Sequence, residues 1–410
     1  MTVDPGSEEG RSRQEWLRLI VAIYGPTLLA SVGFGAIIPL VALQASALGA
    51  SIGLAAFITG LSGVALLIFD LPAGTIASRL GERTSIVAAC LVDALVLATV
   101  YLATSLPVLA VAVFAHGMTG SIFGLARQTY LTEAIPLRYR ARGMSSLGGV
   151  FRIGGFLGPL AGAAILSRGE IRDAFVFAAA TSLVAAFVTL GLPALPTDRR
   201  MSVNDQGERP RTLSVLRRHR RSLLTVGIGC LGLMMVRTSR QVIIPLWADS
   251  NGLSASLISL LYALSMAFDV ALFYPGGAIM DRFGRWWVCV PSTFVMSVGI
   301  LVLPLANTAV AIAVVACLLG LGNGISSGIV LTLGADASPR FGRAQFLAGW
   351  RLIVDTGQTL GPLIISGVTF LGGLSAAAVA VGALGCLGGF WLARWVPRTP
   401  EQLDRFRPDE

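Results

Sequence analysis

Eight charged side chains lie inside long apolar stretches of the 410-residue chain. They are Asp70, Asp93, Arg152, Arg237, Arg240, Asp269, Arg351 and Asp355. A charge at the centre of a bilayer costs at least about 2.5 kcal/mol unless it is paired or hydrated. Carboxylates and guanidinium groups at such places pair with each other, and a carboxylate that loses its cation takes up a proton. These residues therefore indicate ion pairing and reversible protonation.

The elements that must hold these charges are membrane-spanning helices. Hydrophobic residues make up 54% of the chain, charged residues make up 13%, and the mean hydropathy is +0.76. Apolar stretches of about 20 residues, the length that crosses a bilayer as a helix, recur along the chain. The predicted spans are 17–43, 51–77, 84–105, 107–134, 144–167, 172–195, 221–247, 253–280, 286–305, 308–335, 344–370 and 374–396. The sequence thus predicts an all-α membrane protein with twelve transmembrane helices.

Arginine supplies all 31 basic residues, and its distribution predicts the orientation of the helices. With both termini in the cytoplasm, 24 of the 31 arginines fall in cytoplasmic segments, whereas only Arg168 and Arg172 fall in external loops. This positive-inside bias predicts a multi-pass protein of the cell (inner) membrane with both termini cytoplasmic. It also accounts for the net charge of +9 without a nucleic-acid partner.

Targeting and cofactor signals are sparse. The first fifteen residues are polar and the first apolar run is too long for a removable signal peptide. All five cysteines fall in apolar spans, which favours small buried side chains over disulfides. His116 and His219 are too few and too far apart for a metal site, so we expect neither a metal nor a cofactor.

Two short phrases, AGTIASRLGER at 73–83 and GGAIMDRFGRW at 276–286, repeat one pattern. An offset of 203 residues places Gly74 on Gly277, Ser78 on Asp281, Arg79 on Arg282 and Gly81 on Gly284. The same offset places Gly158 on Gly361 and Pro159 on Pro362. This internal repeat predicts two pseudo-symmetric six-helix halves, residues 1–195 and 222–410, joined by a polar cytoplasmic linker at 196–221.

These motifs resemble signatures of the major facilitator superfamily of secondary transporters, and the resemblance covers essentially the whole chain. The two phrases are similar to the family's loop signature between helices 2 and 3. A run in the fifth span is similar to the signature of its antiporter branch and consists of Gly154, Gly158, Pro159 and Gly162. His116 and Gly120 stand at the arginine and glycine of a fourth-helix signature. The resemblance implies the family fold, alternating access and the use of an ion gradient.

In the loop phrases, an aspartate would accept hydrogen bonds from a facing helix N-terminus and so latch the cytoplasmic side shut. Asp281 keeps this charge in the second phrase. Ser78 at the matching place can cap a helix but brings no charge. We therefore expect the charged latch in the second half.

In the family fold, helices 2 and 11 face each other across the two halves, and so do helices 5 and 8. Asp70 and Arg351 lie at matched depth, while Asp269 lies about one turn deeper than Arg152. We expect cross-half ion pairs of Asp70 with Arg351 and of Arg152 with Asp269. Asp355 lies one turn beyond Arg351 and could compete for its cation. Asp70 or Asp355 is then expected to carry a coupled proton, the alternative being a permanent pair that only fixes packing.

The other charges are open to two interpretations. Arg237 and Arg240 share a face in the outer half of the seventh span. If that face lines the central cavity, they attract anionic groups of a substrate; otherwise they reach the outer headgroups. Asp93 is expected to make a local hydrogen bond, and Arg127, near the inner end of the fourth span, is expected to be structural.

The sequence favours a monomeric proton-coupled antiporter that carries out efflux of small, partly apolar molecules, with the substrate, protons and the surrounding lipid bilayer as its partners. One alternative is a uniporter or an importer of a small, anionic solute. Another is a membrane receptor that transports nothing. The chain has no Walker-type nucleotide-binding loop, which argues against an ATP-driven pump. We expect a transporter and not an enzyme.

Overall fold

The computed structural model describes residues 13–134, 140–191, 212–339 and 342–398. Every regular element in these ranges is helical, as expected for apolar segments that must satisfy their own backbone hydrogen bonds. The α-helices of the described residues are α1 (Arg13–Ile37), α2 (Leu40–Ala47), α3 (Ile52–Leu80), α4 (Glu82–Tyr101), α5 (Leu106–Ala134), α6 (Arg140–Leu166), α7 (Ile171–Leu190), α8 (Thr212–Arg218), α9 (Arg220–Ser222), α10 (Ile228–Ser250), α11 (Ala255–Phe283), α12 (Trp286–Val302), α13 (Ala309–Ile325), α14 (Ile329–Asp336) and α15 (Arg343–Trp395).

Eleven helical stretches of the described chain are long and apolar enough to cross a membrane. The last of them, Gln345–Trp395, has 51 residues and would measure about 75 Å as one helix, more than twice the hydrocarbon thickness. Its helix is broken at Gly373, whose φ of 80° and ψ of 174° are not helical. The predicted all-α membrane class is confirmed. The count of twelve crossings stays a prediction, which the break at Gly373 supports.

The offset of the sequence repeat recurs in the helices themselves. Helices α3 and α11 each have 29 residues, and both their first and their last residues are 203 positions apart. Ser51 caps α3 by accepting a hydrogen bond from the backbone N–H of Leu54 at 3.3 Å. Ser254 caps α11 in the same way with the N–H of Leu257, also at 3.3 Å. The two helices thus begin with the same local structure, since a serine at this place satisfies a free backbone donor.

Close helix contacts follow the same offset. Gly117 of α5 lies against the backbone of Ser62 in α3, where an added Cβ would be 2.7 Å from the Ser62 Cα. Gly320 of α13 lies against Ser265 in α11, with a corresponding distance of 3.1 Å. Both pairs place a missing side chain at the point where two helices approach most closely.

The helices pack in two groups. In the first, α1 contacts α6 and α7, α4 contacts α5 and α7, and α3 contacts α5. In the second, α15 contacts α10 and α12, and α13 contacts α11 and α12. Two further interfaces, α3 with α15 and α6 with α11, join the groups. These are the interfaces expected to hold the cross-half ion pairs, although the half boundaries at 195 and 222 remain a prediction.

The end of the predicted linker is helical. Helix α8 packs on α15, and its Val215 side chain is buried. The ring of His219, just beyond α8, meets the ring of Phe346 edge to face at 6.1 Å. The overall polar composition of the linker gives no indication of this short apolar face. Residues 192–211 of the linker region lie outside the described residues.

Candidate functional site

Asp70 and Arg351 form a bidentate ion pair between α3 and α15. The Arg351 Nε lies 3.0 Å from Oδ2 of Asp70, and Nη2 lies 2.9 Å from Oδ1. The Ser121 hydroxyl of α5 donates a further hydrogen bond to Asp70 Oδ1 at 3.1 Å. This fork geometry gives a guanidinium–carboxylate pair its strength. The structure therefore brings together the first pair that matched depth predicted.

Arg351 also contacts a second carboxylate. Its Nε lies 3.4 Å from Oδ2 of Asp355, one turn farther along α15. The Asp355 side chain is buried and accepts a hydrogen bond on Oδ1 from the amide of Gln358 at 2.7 Å. Two carboxylates thus share one guanidinium, which leaves one negative charge in excess. A proton on either carboxylate can neutralise that charge.

The second predicted pair, Arg152 of α6 with Asp269 of α11, is also formed. Asp269 is buried and has two partners in its own group of helices. Nη2 of Arg240 lies 3.2 Å from its Oδ2, and the Asn323 amide donates to the same oxygen at 2.5 Å. The Arg152 guanidinium also lies over the ring of Phe273, 5.2 Å from the ring centroid. Asp269 is therefore held from both sides of the α6–α11 interface.

The sequence left Arg237 and Arg240 open between a cavity and the outer headgroups, and the structure turns both toward neighbouring helices instead. Arg240 is only 3% exposed and is turned toward Asp269 in α11. Arg237 donates hydrogen bonds from Nη2 to the Ser326 hydroxyl at 2.9 Å and to its carbonyl at 3.1 Å. The shared face of α10 packs against α11 and the end of α13, so the two cations serve interhelical contacts.

The antiporter-like run lies at the contact of α6 with α1. A Cβ added at Gly158 would be 2.6 Å from the backbone N of Ala36, and one added at Gly154 would be 3.0 Å from that of Val32. A Cβ added at Gly162 would be 3.1 Å from the Ala36 carbonyl oxygen. Pro159 lies within the helix. The run therefore allows two helices to approach to backbone contact.

The loop phrases form the junctions after α3 and α11. Gly81 and Gly284 end these helices with φ values of 80° and 96°, a conformation that favours glycine. Asp281 is exposed and makes no hydrogen bond or ion pair with the described residues, so the charged latch stays a prediction.

The other loop positions add little contact. Arg79 and Arg282 are exposed, and a Cβ at Gly277 would meet no atom within 4 Å. A Cβ added at Gly74 would be 3.6 Å from the Leu125 side chain of α5, an ordinary van der Waals contact. The side chain of Ser78 lies outside the described part of the structure.

A cavity of about 380 Å³ lies mainly among α1, α3, α4 and α5 and reaches α10 and α15. Its wall carries a polar network around Asp93, a residue whose sequence position does not indicate a cavity. Nδ1 of His116 lies 2.6 Å from Asp93 Oδ1, and the hydroxyls of Thr119 and Ser182 each donate to Asp93 at 2.8 Å. Phe34 stacks on the His116 ring at 5.6 Å. The match of His116 to a signature position was the only sequence signal for this site.

The two joining interfaces also contain close contacts farther toward the predicted outer side than the ion pairs. The Ser256 hydroxyl of α11 donates to the Ala163 carbonyl of α6 at 2.9 Å. On the other interface, a Cβ at Gly60 would be 3.0 Å from Pro362. Gly60 and Pro362 both line the cavity, so the α3–α15 interface forms part of its wall.

Comparisons with known proteins agree with this architecture. The sequence profile of the Major Facilitator Superfamily matches residues 26–340 and 226–410. The chain is 24% identical over 343 residues to the multidrug resistance protein MdtH of Enterobacter sp. (strain 638). The aligned residues cover 82% of each chain.

Solved structures have the same fold. A peptide transporter POT aligns with a TM-score of 0.78 at 12% identity, over 99% of each chain. A D-xylose-proton symporter aligns with a TM-score of 0.71 at 15% identity, over 93% of this chain and 99% of the other. Because the superfamily profile covers most of the chain, the protein belongs to the major facilitator superfamily, and it is a multi-pass membrane transporter and not an enzyme.

Proposed function

We propose that the protein is a proton-coupled antiporter that exports small, partly apolar molecules by alternating access. The observation that carries the proposal is Arg351, which lies between Asp70 across the interface and Asp355 on its own helix. Two carboxylates and one guanidinium in a largely apolar bundle leave one negative charge, which a proton can neutralise. The name of the Enterobacter relative, a multidrug resistance protein, supports export of varied molecules.

The shared guanidinium suggests how proton release follows the movement of the halves. Asp70, Arg351 and Asp355 form what we call the triad. While α3 and α15 are in contact, the two carboxylates compete for Arg351, and the triad takes up one proton. When the inner side opens, Arg351 moves with Asp355 because both lie on α15. Asp70 is then hydrated in the opening, each carboxylate is stable in its charged form, and the proton leaves to the cytoplasm.

The α6–α11 interface is suited to gating without a proton. Asp269 keeps Arg240 and Asn323 as partners when Arg152 moves away with α6, since both partners belong to its own group of helices. Asp269 therefore has partners in its own group of helices whether or not Arg152 is in contact. We therefore assign the coupled proton to the Asp70 and Asp355 side of the bundle.

Gln358 connects the substrate cavity with the triad. It lines the cavity, and its amide donates to Asp355 Oδ1. A molecule that displaces or reorients this amide removes a hydrogen bond that favours the charged carboxylate. Occupancy of the cavity would thereby change the proton affinity of the triad, which is what coupling requires.

A proton-flux assay tests this function. Proteoliposomes that contain a pH-sensitive dye are given a pH gradient and a chemically varied panel of compounds. We expect transported compounds to dissipate the gradient with wild-type protein and with Asp249→Asn, a control carboxylate at the far end of α10. The Asp70→Asn, Asp355→Asn double variant should show no compound-dependent flux. Compound uptake by the wild type without proton movement would identify a uniporter.

The proposed orientation is tested by thiol labelling in intact cells. The arginine distribution predicts that the 196–221 linker and both termini are cytoplasmic. A cysteine introduced at Ser202 or Asn204 should react with an impermeant maleimide only after the cells are opened. Labelling from outside intact cells at the rate of a cysteine at Arg168, in a predicted external loop, would reverse the assignment.

A further inference from the structure

Arg127 of α5 is a cation in the cavity wall that lacks a counterion. Its guanidinium carbon lies 5.3 Å from the ring centroid of Phe123 and 5.8 Å from that of Phe151. The Nε and Nη1 atoms are shielded from solvent and have no hydrogen-bond partner in the described chain. No carboxylate of the described residues forms an ion pair with it. A shielded guanidinium with unused donors is costly, and an anion that enters the cavity would remove that cost.

The other charged groups of the cavity wall do not supply this anion. Asp93 already has His116, Thr119 and Ser182 as partners on two neighbouring helices. These contacts hold the Asp93 carboxylate at α4, α5 and α7, and it forms no ion pair with Arg127. Arg127 is therefore the charged group of the described cavity wall that still lacks a polar partner.

The shape of the cavity favours an elongated apolar body attached to that anion. His116 and Arg127 are separated along α5 by about 16 Å, from a rise of about 1.5 Å per residue. Between them, a Cβ at Gly120 or Gly124 would meet no atom within 4 Å, so these glycines leave space open. Side chains of the predicted C-terminal half contribute uncharged amides to the opposite wall, among them Gln241.

We propose that the cavity binds amphiphilic organic anions, whose acidic group pairs with Arg127 and whose apolar body lies along Gly120 and Gly124. This inference names the substrate class of the proposed exporter and in that sense rests on it. A carboxylate or sulfonate pairs with a guanidinium by charge and by hydrogen bonds, and no described residue supplies Arg127 with such a partner. The aromatic rings of Phe123 and Phe151 would then contact both the guanidinium and the apolar body.

Binding of three similar probes to the purified full-length protein tests this site. The probes are 1-naphthylacetate, its uncharged amide 1-naphthylacetamide, and the cation 1-naphthylethylammonium, each measured by calorimetry. We expect the wild type to bind the carboxylate at least about tenfold more tightly than the amide, and the ammonium most weakly. Equal affinity for the carboxylate and the amide would overturn the inference.

Variants locate the discrimination. Arg127→Gln should remove the preference for the carboxylate, and Arg127→Lys should keep part of it, because lysine retains the charge without the fork geometry. The control Arg168→Gln removes an exposed arginine from a loop and should leave the preference intact. A preference that survives in Arg127→Gln contradicts the proposal.

A cavity-filling variant keeps the test decisive if Arg127→Gln fails to fold. Gly120→Leu adds a side chain where nothing lies within 4 Å and should weaken binding of both the carboxylate and the amide by about tenfold or more. Unchanged binding of both probes would place their site elsewhere and overturn the proposal.

The binding test is independent of proton coupling. Calorimetry uses no gradient, so a carboxylate preference without compound-dependent proton flux would contradict only the proposed antiport. Proton-coupled export of neutral compounds combined with no carboxylate preference would contradict only the assignment of Arg127.

Discussion

Asp70→Asn is expected to abolish gradient-driven export while substrate binding stays measurable. Without the Asp70 charge, Arg351 pairs with Asp355 alone whether the interface is closed or open, so the triad no longer takes up and releases a proton. The cross-half ion pair is lost as well, and because the Arg351 side chain is half exposed we expect this loss to contribute only about 1 kcal/mol. Export driven by a pH gradient in inverted vesicles, measured beside calorimetric binding, checks the result.

Exchange of the two charges is the sharper version of this test. Asp70→Arg and Arg351→Asp are each expected to abolish export, and the double variant should restore part of it by rebuilding the pair with reversed polarity. Restoration is only partial because the new aspartate lies one turn from Asp355 and is repelled by it. A double variant no more active than either single variant, at matched expression, would show that the two residues do not act as a pair.

Gly158→Ala is expected to destabilise the protein and impair transport, unlike the same change at Gly148 of the same helix. An added Cβ at Gly158 would lie 2.6 Å from the backbone N of Ala36, so α1 and α6 must move apart. Overpacking of this kind costs about 1–3 kcal/mol. At Gly148 no atom lies within 4 Å, and alanine should be neutral or stabilise the helix by up to about 1 kcal/mol.

The unfolding midpoint in detergent and the transport rate of each variant measure this contrast. Equal midpoints for Gly158→Ala and Gly148→Ala would mean that the glycine run is not needed for close packing. A variant with normal stability but no transport would instead assign Gly158 to the movement of α1 against α6.

Depth along the helices, opposite charge and the helix adjacency implied by the family resemblance predicted the pairs Asp70 with Arg351 and Arg152 with Asp269. Depth along a helix follows directly from residue number, and the family resemblance supplied which helices face each other. Rotation about the helix axis does not follow in this way. Helix α10 is buried on most of its surface, so its apolar pattern gave no sign that Arg240 faces α11 and not the cavity.

The residues around the cavity were harder to predict for a related reason. Asp93, His116 and Ser182 meet from three helices, and no spacing in the sequence records that they converge. Arg127 lies about two turns from the end of α5, a position from which arginine commonly extends to the headgroups. Only the packing of its guanidinium between Phe123 and Phe151 shows that it is turned inward.

The 203-residue offset also places Arg152 of α6 on Asp355 of α15, so equivalent positions of the repeat carry opposite charges. If two C-terminal halves met through the same interface, Asp269 would face a second Asp355 and be repelled. Two N-terminal halves would leave Arg152 opposite Leu66, without a counterion. Only the combination of an N-terminal with a C-terminal half gives the charges of this interface opposite partners, so the ion pairs disfavour the association of two like halves.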